Sequence, residues 1–301
     1  MLQISTYLHT ASLLLVTLAM VANIAGVGVR MRDRRVQGRV LVAVGGGSDP
    51  STLPAADTDD LSAGARGGLE WYGHRFAQLA FVTLSLSLLL RSLVTGHAPF
   101  ANQFEFATAF VWAVLLIHAW FEWRYQIRGL SLLVMPFAAA MLLYTFTLDN
   151  AVNPLIPALQ NSWLLTVHVF AAVIAYGAAA VSVAAAAFYL LRPRIPWRGL
   201  PSAEVLEEIS YKAVILAFPM LSLMLVLGAL WADIAWGRYW SWDPKETAAL
   251  VTWLIYGAYL HARVVGGWRD RKAAWLLVLG FVAVIFTFTG NHWFGGLHSY
   301  V

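Results

Sequence analysis

This sequence predicts an all-α integral membrane protein, a bundle of eight transmembrane helices with both termini on the outer face. Three observations carry that expectation. Hydrophobic residues make up 60% of the 301 residues and charged residues only 12%, with a mean hydropathy of +0.67; a soluble domain carries about 25% charged residues. Eight apolar stretches are each long enough to cross a bilayer, which takes about twenty residues at 1.5 Å each. The basic residues are also one-sided. Of the 20 Lys and Arg, all but Arg91, Arg238 and Lys245 fall in the first, third, fifth and seventh connections. By the positive-inside rule those connections are cytoplasmic.

The spans read as 7–29, 74–95, 104–123, 129–148, 162–191, 212–235, 247–265 and 273–291. All are expected to be helical, because lipid offers backbone N–H and C=O groups no partners. The first is too long for a signal-peptide apolar region and no small-residue cleavage site follows it, so it reads as a retained span. The fifth is long enough to tilt or to run past the membrane, and its Ala-rich stretch 178–187 predicts a close helix contact. The chain divides into a first transmembrane helix (1–30), a flexible cytoplasmic linker (31–72) and a seven-helix core (73–301). The linker opens basic, with Arg32, Arg34, Arg35 and Arg39, and continues through Gly45-Gly46-Gly47-Ser48-Asp49-Pro50. Its triple glycine is no phosphate-binding motif. Its basic start suits orientation and contact with anionic membrane lipid; no nucleic-acid partner is expected. With no cysteine anywhere, the chain has no disulfide framework, iron–sulfur ligand set or thiol nucleophile of its own.

The connection between spans six and seven, 236–246, is organised differently from the rest. Trp236-Gly237-Arg238-Tyr239-Trp240-Ser241-Trp242-Asp243-Pro244-Lys245-Glu246 packs four aromatic rings, two cations and two carboxylates into eleven residues on the predicted outer face. An interfacial aromatic belt accounts for the residue types. It does not account for their density or order. A flat apolar ligand with acidic edges accounts for both: Trp236, Trp240 and Trp242 offer faces, and Arg238 and Lys245 offer charge. Asp243, Pro244 and Glu246 also match a helix start, with Asp243 as N-cap, Pro244 in the first turn and Glu246 completing a capping box. For the two carboxylates that reading outweighs an acid–base role.

Topology sorts the eight histidines. His9, His97, His168, His292 and His298 fall near the outer face; His74, His118 and His261 fall in the inner half or at the inner edge. Taken singly, each is accounted for by a hydrogen bond to a neighbouring backbone carbonyl. Depth changes the weighing. His168 lies about six residues into span five, roughly 9 Å below the outer edge by helical rise, and His298 follows span eight closely enough to fold back to that level. Two imidazoles beside an aromatic shelf make a plausible bis-His iron site. His261, about fourteen residues into span seven, lies roughly 21 Å deeper, so one porphyrin cannot be ligated at both levels. A second, inner position would need an axial partner for His261, from His118 or from another subunit.

Several separate motifs agree on one family. The Trp-rich segment, Gly96-His97-Ala98-Pro99 with Asn102 and Glu105, and the tail Gly296-Leu297-His298-Ser299-Tyr300 together resemble the CcsA (ResC) type of cytochrome c biogenesis protein, from about Tyr72 to Val301. The resemblance implies a system II cytochrome c synthase subunit of the plasma membrane. Such a subunit binds and translocates heme b, and presents it ferrous on the outer face for attachment to the CXXCH thiols of apocytochrome c. It further implies an outer heme between His168 and His298 on the Trp-rich domain. At the inner heme, His261 would pair with a ligand from a CcsB (ResB)-like membrane subunit, leaving His118 structural. His292 has no counterpart in the motif, and His97 sits in the outer-loop motif, where bracing through Asn102 and Glu105 is the plain account. Catalysis would be heme positioning, with no side-chain nucleophile. Two other classes remain. A heme-delivery protein of the CcmC type shares the Trp-rich signature but has fewer spans. A quinone-reactive membrane cytochrome b needs paired histidines in both leaflets, and only His118 with His261 offers an inner pair.

Overall fold

Apolar sequence longer than a bilayer is thick can satisfy its own backbone only as helix, and in the computed structural model, which describes residues 1–44, 68–125, 128–155, 157–160, 163–194, 201–290 and 293–298, every apolar run is helical and the connections are turns and loops. Among these, eight α-helices follow in chain order: α1 (Leu2–Val44), α2 (Leu69–Thr95), α3 (Gln103–Tyr125), α4 (Ser131–Thr145), α5 (Trp163–Leu191), α6 (Ala203–Trp236), α7 (Pro244–Val264) and α8 (Arg271–Thr289). Six are long and apolar enough to cross a membrane: α1 over Leu2–Val29, α2, α3, α5, α6 and α8. The helix α4 is shorter, prefaced by a 3-10 turn at Arg128–Leu130. The helix α7 has the length, but its Lys, Glu, Thr, Tyr, His and Arg residues make it less apolar than those six.

Element ends differ from the apolar boundaries where polar residues continue a helix. The helix α1 runs on through Val44, into the stretch expected to be linker, and most of the rest of that stretch, 45–67, lies outside the described residues. The helix α6 starts at Ala203, nine residues before the apolar run, because Ser202 caps it by accepting from the Val205 N–H (3.3 Å).

The helix α5 is the centre of the bundle, packed on α6, α3 and α8. Its Ala-rich stretch is buried, as a close contact requires. A side chain at Gly177 would meet the Ala113 backbone carbon at 2.8 Å, so α5 and α3 approach backbone to backbone there. Ser182 and Ser210 each donate to the other's carbonyl (3.1 and 3.2 Å), which ties α5 to α6 without leaving a hydroxyl unpaired in the core. The first two helices pair in the same way through Ser5 and Ser87 (2.9 and 2.8 Å), and the Ser12 and Thr83 hydroxyls bond each other (2.8 Å).

Between α2 and α3 the Gly96–Asn102 loop is braced from within. Gly96 turns the chain in the left-handed region (φ 73°). Asn102 accepts from the Glu105 N–H (2.9 Å) and Glu105 accepts from the Ala101 N–H (2.8 Å), a reciprocal cap. The same Glu105 accepts from Arg91 Nε (2.7 Å), whose Nη2 donates to the Asn150 carbonyl (3.0 Å). Arg91 and Glu105 are only 4% and 1% exposed. His97 donates from Nδ1 to the Ala98 carbonyl (2.8 Å), so the bracing expected of this loop comes from Asn102 and Glu105. Removing one member of a buried pair strands the other charge. Arg91→Ala should therefore cost about 3–5 kcal/mol, seen as a lower unfolding midpoint in detergent, while Arg91→Met with Glu105→Gln should cost much less.

Candidate functional site

A cavity with an empty volume of about 1340 Å³, its open mouth included, lies where α5, α6, the start of α7 and the chain end converge. The braced loop contributes Phe100 to Gln103, α5 contributes Leu165, His168 and Tyr176, and α6 contributes Met224, Gly228 and Trp231. Tyr239 and Trp240 come from the Trp-rich segment, Lys245 and Glu246 from the first turn of α7, and His298 from the tail.

His168 is held from α6. Its Nδ1 donates to the Met224 carbonyl (2.8 Å), and since a carbonyl only accepts, this edge of the ring carries the proton. That leaves Nε2 as the lone-pair edge. The approach depends on Gly228, the residue one helical turn after Met224: an added Cβ would lie 2.7 Å from His168 Cε1 and 3.0 Å from Nδ1. The imidazole stacks on Trp231, with centroids 6.4 Å apart and planes 9° from parallel.

His298 is held from the start of α7. Asp243 caps that helix by accepting from the Lys245 N–H (2.9 Å), and Glu246 completes the capping box by accepting from the Asp243 N–H (3.2 Å) and the Ser241 N–H (2.9 Å). The cap reading of both carboxylates therefore stands, but Asp243 does more. It also accepts from the Leu297 N–H (2.6 Å) and from His298 Nδ1 (2.9 Å). Burial alone would push the Asp243 carboxyl up. The hydrogen bond and charge of His298, with the Lys245 and Leu297 N–H groups, outweigh that and hold it at about 2, from an ordinary 3.8. A carboxyl depressed in the folded state contributes stability in full above the ordinary value and loses it as pH falls through the depressed one. That contribution is therefore complete above about pH 4 and is lost as pH falls toward 2. Trp236 meets the His298 ring edge-on (centroids 4.8 Å apart, 79°), and Trp231 lies 6.0 Å from it, so one indole touches both imidazoles.

The Trp-rich segment runs from the end of α6 to α7 between two left-handed residues, Gly237 (φ 72°) and Trp242 (φ 59°). Trp240 lines the cavity and meets Trp242 edge-on, while Trp242 itself is 69% exposed. Lys245 lines the cavity near the Phe106 ring. Of the residues singled out from sequence, His168, His298, Trp240 and Lys245 thus share one cavity. Trp236 stands behind His298, and Arg238 is exposed and outside the lining.

His261 is exposed on α7, sixteen residues beyond Lys245, or about 24 Å along the helix. Its helix packs on α8 and α6. His118 is buried against Ser131 (Nε2 to Oγ 3.0 Å) near Glu122, which also pairs with His74 (2.8 Å). His9 bonds Thr145 (2.7 Å). His292, Ser299 and Tyr300 lie outside the described residues. Sequence reasoning missed Trp231, Gly228 and the second role of Asp243. Of these, only the Asp243-Pro244-x-Glu246 cap carried a signal, and it pointed to the helix alone.

No group of three or more His, Asp or Glu among the described residues is set to hold a bare metal ion. Two imidazoles, each with Nδ1 bonded to an acceptor, on one lining with Trp240 and Lys245, suit a metal already held in a flat macrocycle with acidic edges. The residues present therefore fit heme.

The family model described as "Cytochrome C assembly protein" matches residues 100–298. The chain is 31% identical to the cytochrome c biogenesis protein CcsA of Guillardia theta, over 76% of this chain and 85% of that protein. To CcsA of Microcystis aeruginosa it is 34% identical (74% and 85% covered), and to that of a Picosynechococcus strain 33% (77% and 88%). Among solved structures it resembles in fold the cytochrome c heme lyase CcmF, with a TM-score of 0.56 and 20% identity, over 93% of this chain and 46% of that one. A family match that takes in the Trp-rich segment and ends at His298, joined by these relatives, means that the chain belongs to the cytochrome c assembly family as a CcsA-type biogenesis protein.

Proposed function

We propose that this chain is the heme-binding and heme-translocating subunit of a system II cytochrome c synthase, and that the cavity under the Trp-rich segment is its outer heme site. The observation that supports this most is the convergence of His168 and His298 on one cavity, with both Nδ1 atoms turned away to acceptors and both rings against Trp231. In this reading all eight helices cross the plasma membrane, both termini lie outside and the cavity opens on the outer face, as the one-sided Lys and Arg imply.

Heme b is the bound substrate, and when present it supplies the vinyl carbons that take up the CXXCH thiols of apocytochrome c. The protein contributes position. His168 and His298 would hold its iron, Trp240 would cover its plane, and Lys245 would meet an acidic edge. Trp236 backs the tail ligand, while Trp242 and Arg238, exposed at the same segment, face incoming apocytochrome. Without a cysteine the chain cannot trade disulfides with those thiols, so attachment proceeds by presentation rather than by attack from this subunit. His261, exposed on α7 well away from the cavity, suits an inner heme whose second ligand comes from a CcsB (ResB)-like subunit. His118, committed to Ser131 and close to Glu122, suits a structural role.

His168→Ala or His298→Ala should abolish both the low-spin spectrum of the outer heme and cytochrome c assembly; retention of both would eliminate the assignment. Gly228→Ala gives a sharper test, because its two effects have opposite sign. Alanine in a helix interior is favoured over glycine by about 1 kcal/mol, yet its Cβ would lie 2.7 Å from the His168 ring. Expected are undiminished thermal stability and a heme content lowered about tenfold or more, measured by pyridine hemochrome on the purified complex.

A further inference from the structure

Capping a helix requires one hydrogen bond from Asp243, and the Lys245 N–H supplies it. The carboxylate takes two more, from residues 54 and 55 positions away, that capping does not need: the Leu297 N–H (2.6 Å) and His298 Nδ1 (2.9 Å). The tail is shaped to reach it. A Cβ at Gly296 would overlap the Asp243 carboxylate and come within 3.1 Å of Pro244 Cδ, so the chain seats backbone-first on the cap. The two imidazoles of the cavity consequently differ. His168 gives its Nδ1 proton to the neutral Met224 carbonyl, and His298 gives its own to an anion. A carboxylate is the stronger acceptor, and it raises the electron density of the ring it holds.

We propose that Asp243 is a positioning residue for the outer heme: it docks the tail, fixes the ring and tautomer of His298, and makes Nε2 of His298 a stronger donor to iron than Nε2 of His168. This rests on the reading of His168 and His298 as heme ligands. Unequal donors give the bound iron one firm partner and one that exchanges more readily, which an acceptor protein bringing its own histidine requires.

The test separates the cap from the tuning. Asparagine caps a helix as well as aspartate does, and its side-chain oxygen still accepts, but it carries no charge. In the heme-loaded complex with its partner subunit, Asp243→Asn should move the outer heme's midpoint potential to a more positive value. It should also let added imidazole displace the ligand at a concentration about tenfold lower, within the 10–100-fold range of such outer-sphere changes. A second arm needs no heme. Because the chain has no cysteine, Leu297→Cys provides a single thiol on the tail. In complex prepared without heme its labelling rate should rise about tenfold when Asp243→Ser is added, since serine still caps α7 but cannot span to the tail. An unchanged potential and unchanged imidazole exchange in Asp243→Asn would reduce Asp243 to a helix cap and overturn the tuning. Unchanged labelling would overturn the docking. If His298→Ala itself keeps the low-spin spectrum, the ligand reading has failed instead, and the labelling arm still decides whether Asp243 docks the tail.

Discussion

One carboxylate joins three parts of this molecule that are remote in sequence or in kind. Asp243 caps α7, lies within the Trp-rich segment and receives the tail, and each of those three contributes residues to the cavity. An ionised carboxylate offers about four acceptor sites and no donor. It can therefore bind several N–H groups without having to choose among them. That capacity lets a residue with an ordinary structural duty also carry a functional one.

Polar groups elsewhere in the bundle follow the same economy of full satisfaction. The serine pairs between α1 and α2 and between α5 and α6 close on each other's carbonyls, and Arg91 with Glu105 closes on Ala101 and Asn150. Buried polar contacts of this sort add modest energy, but an unmade one is costly, so they set helix register more than they set stability. Register is what the site needs. His168 finds the Met224 carbonyl only if α5 and α6 keep the alignment that brings Gly228 beneath the ring.

Most of the architecture was legible in the sequence because hydropathy reads helices wherever lipid forces them: each apolar stretch coincides with one of the described helices. Their ends were less legible. The extension of α6 back to Ala203 follows from the Ser202 cap, and hydropathy is blind to caps. In the site, the pairing of His168 with His298 could be weighed from depth, since rise per residue converts sequence into height. Gly228 could not be weighed, because which glycine faces a ring depends on the rotation of one helix about another. Trp231 falls inside the sixth apolar span, where hydropathy does not single it out. Asp243 was legible over its local span of three residues and illegible over the fifty-odd that bring the tail to it.

Trp242 is the only non-glycine residue at positive φ among the described residues. A bulky side chain in the left-handed region costs about 1–3 kcal/mol, whereas Gly237 at the other end of the segment bears no such cost. The span over the cavity is therefore sprung at one end and slack at the other. Its sprung end is held shut by the Thr247 hydroxyl on the Trp242 carbonyl and by the bonds of the neighbouring aspartate. The bonds that dock the tail on that aspartate therefore sit directly beside the residue that carries the strain.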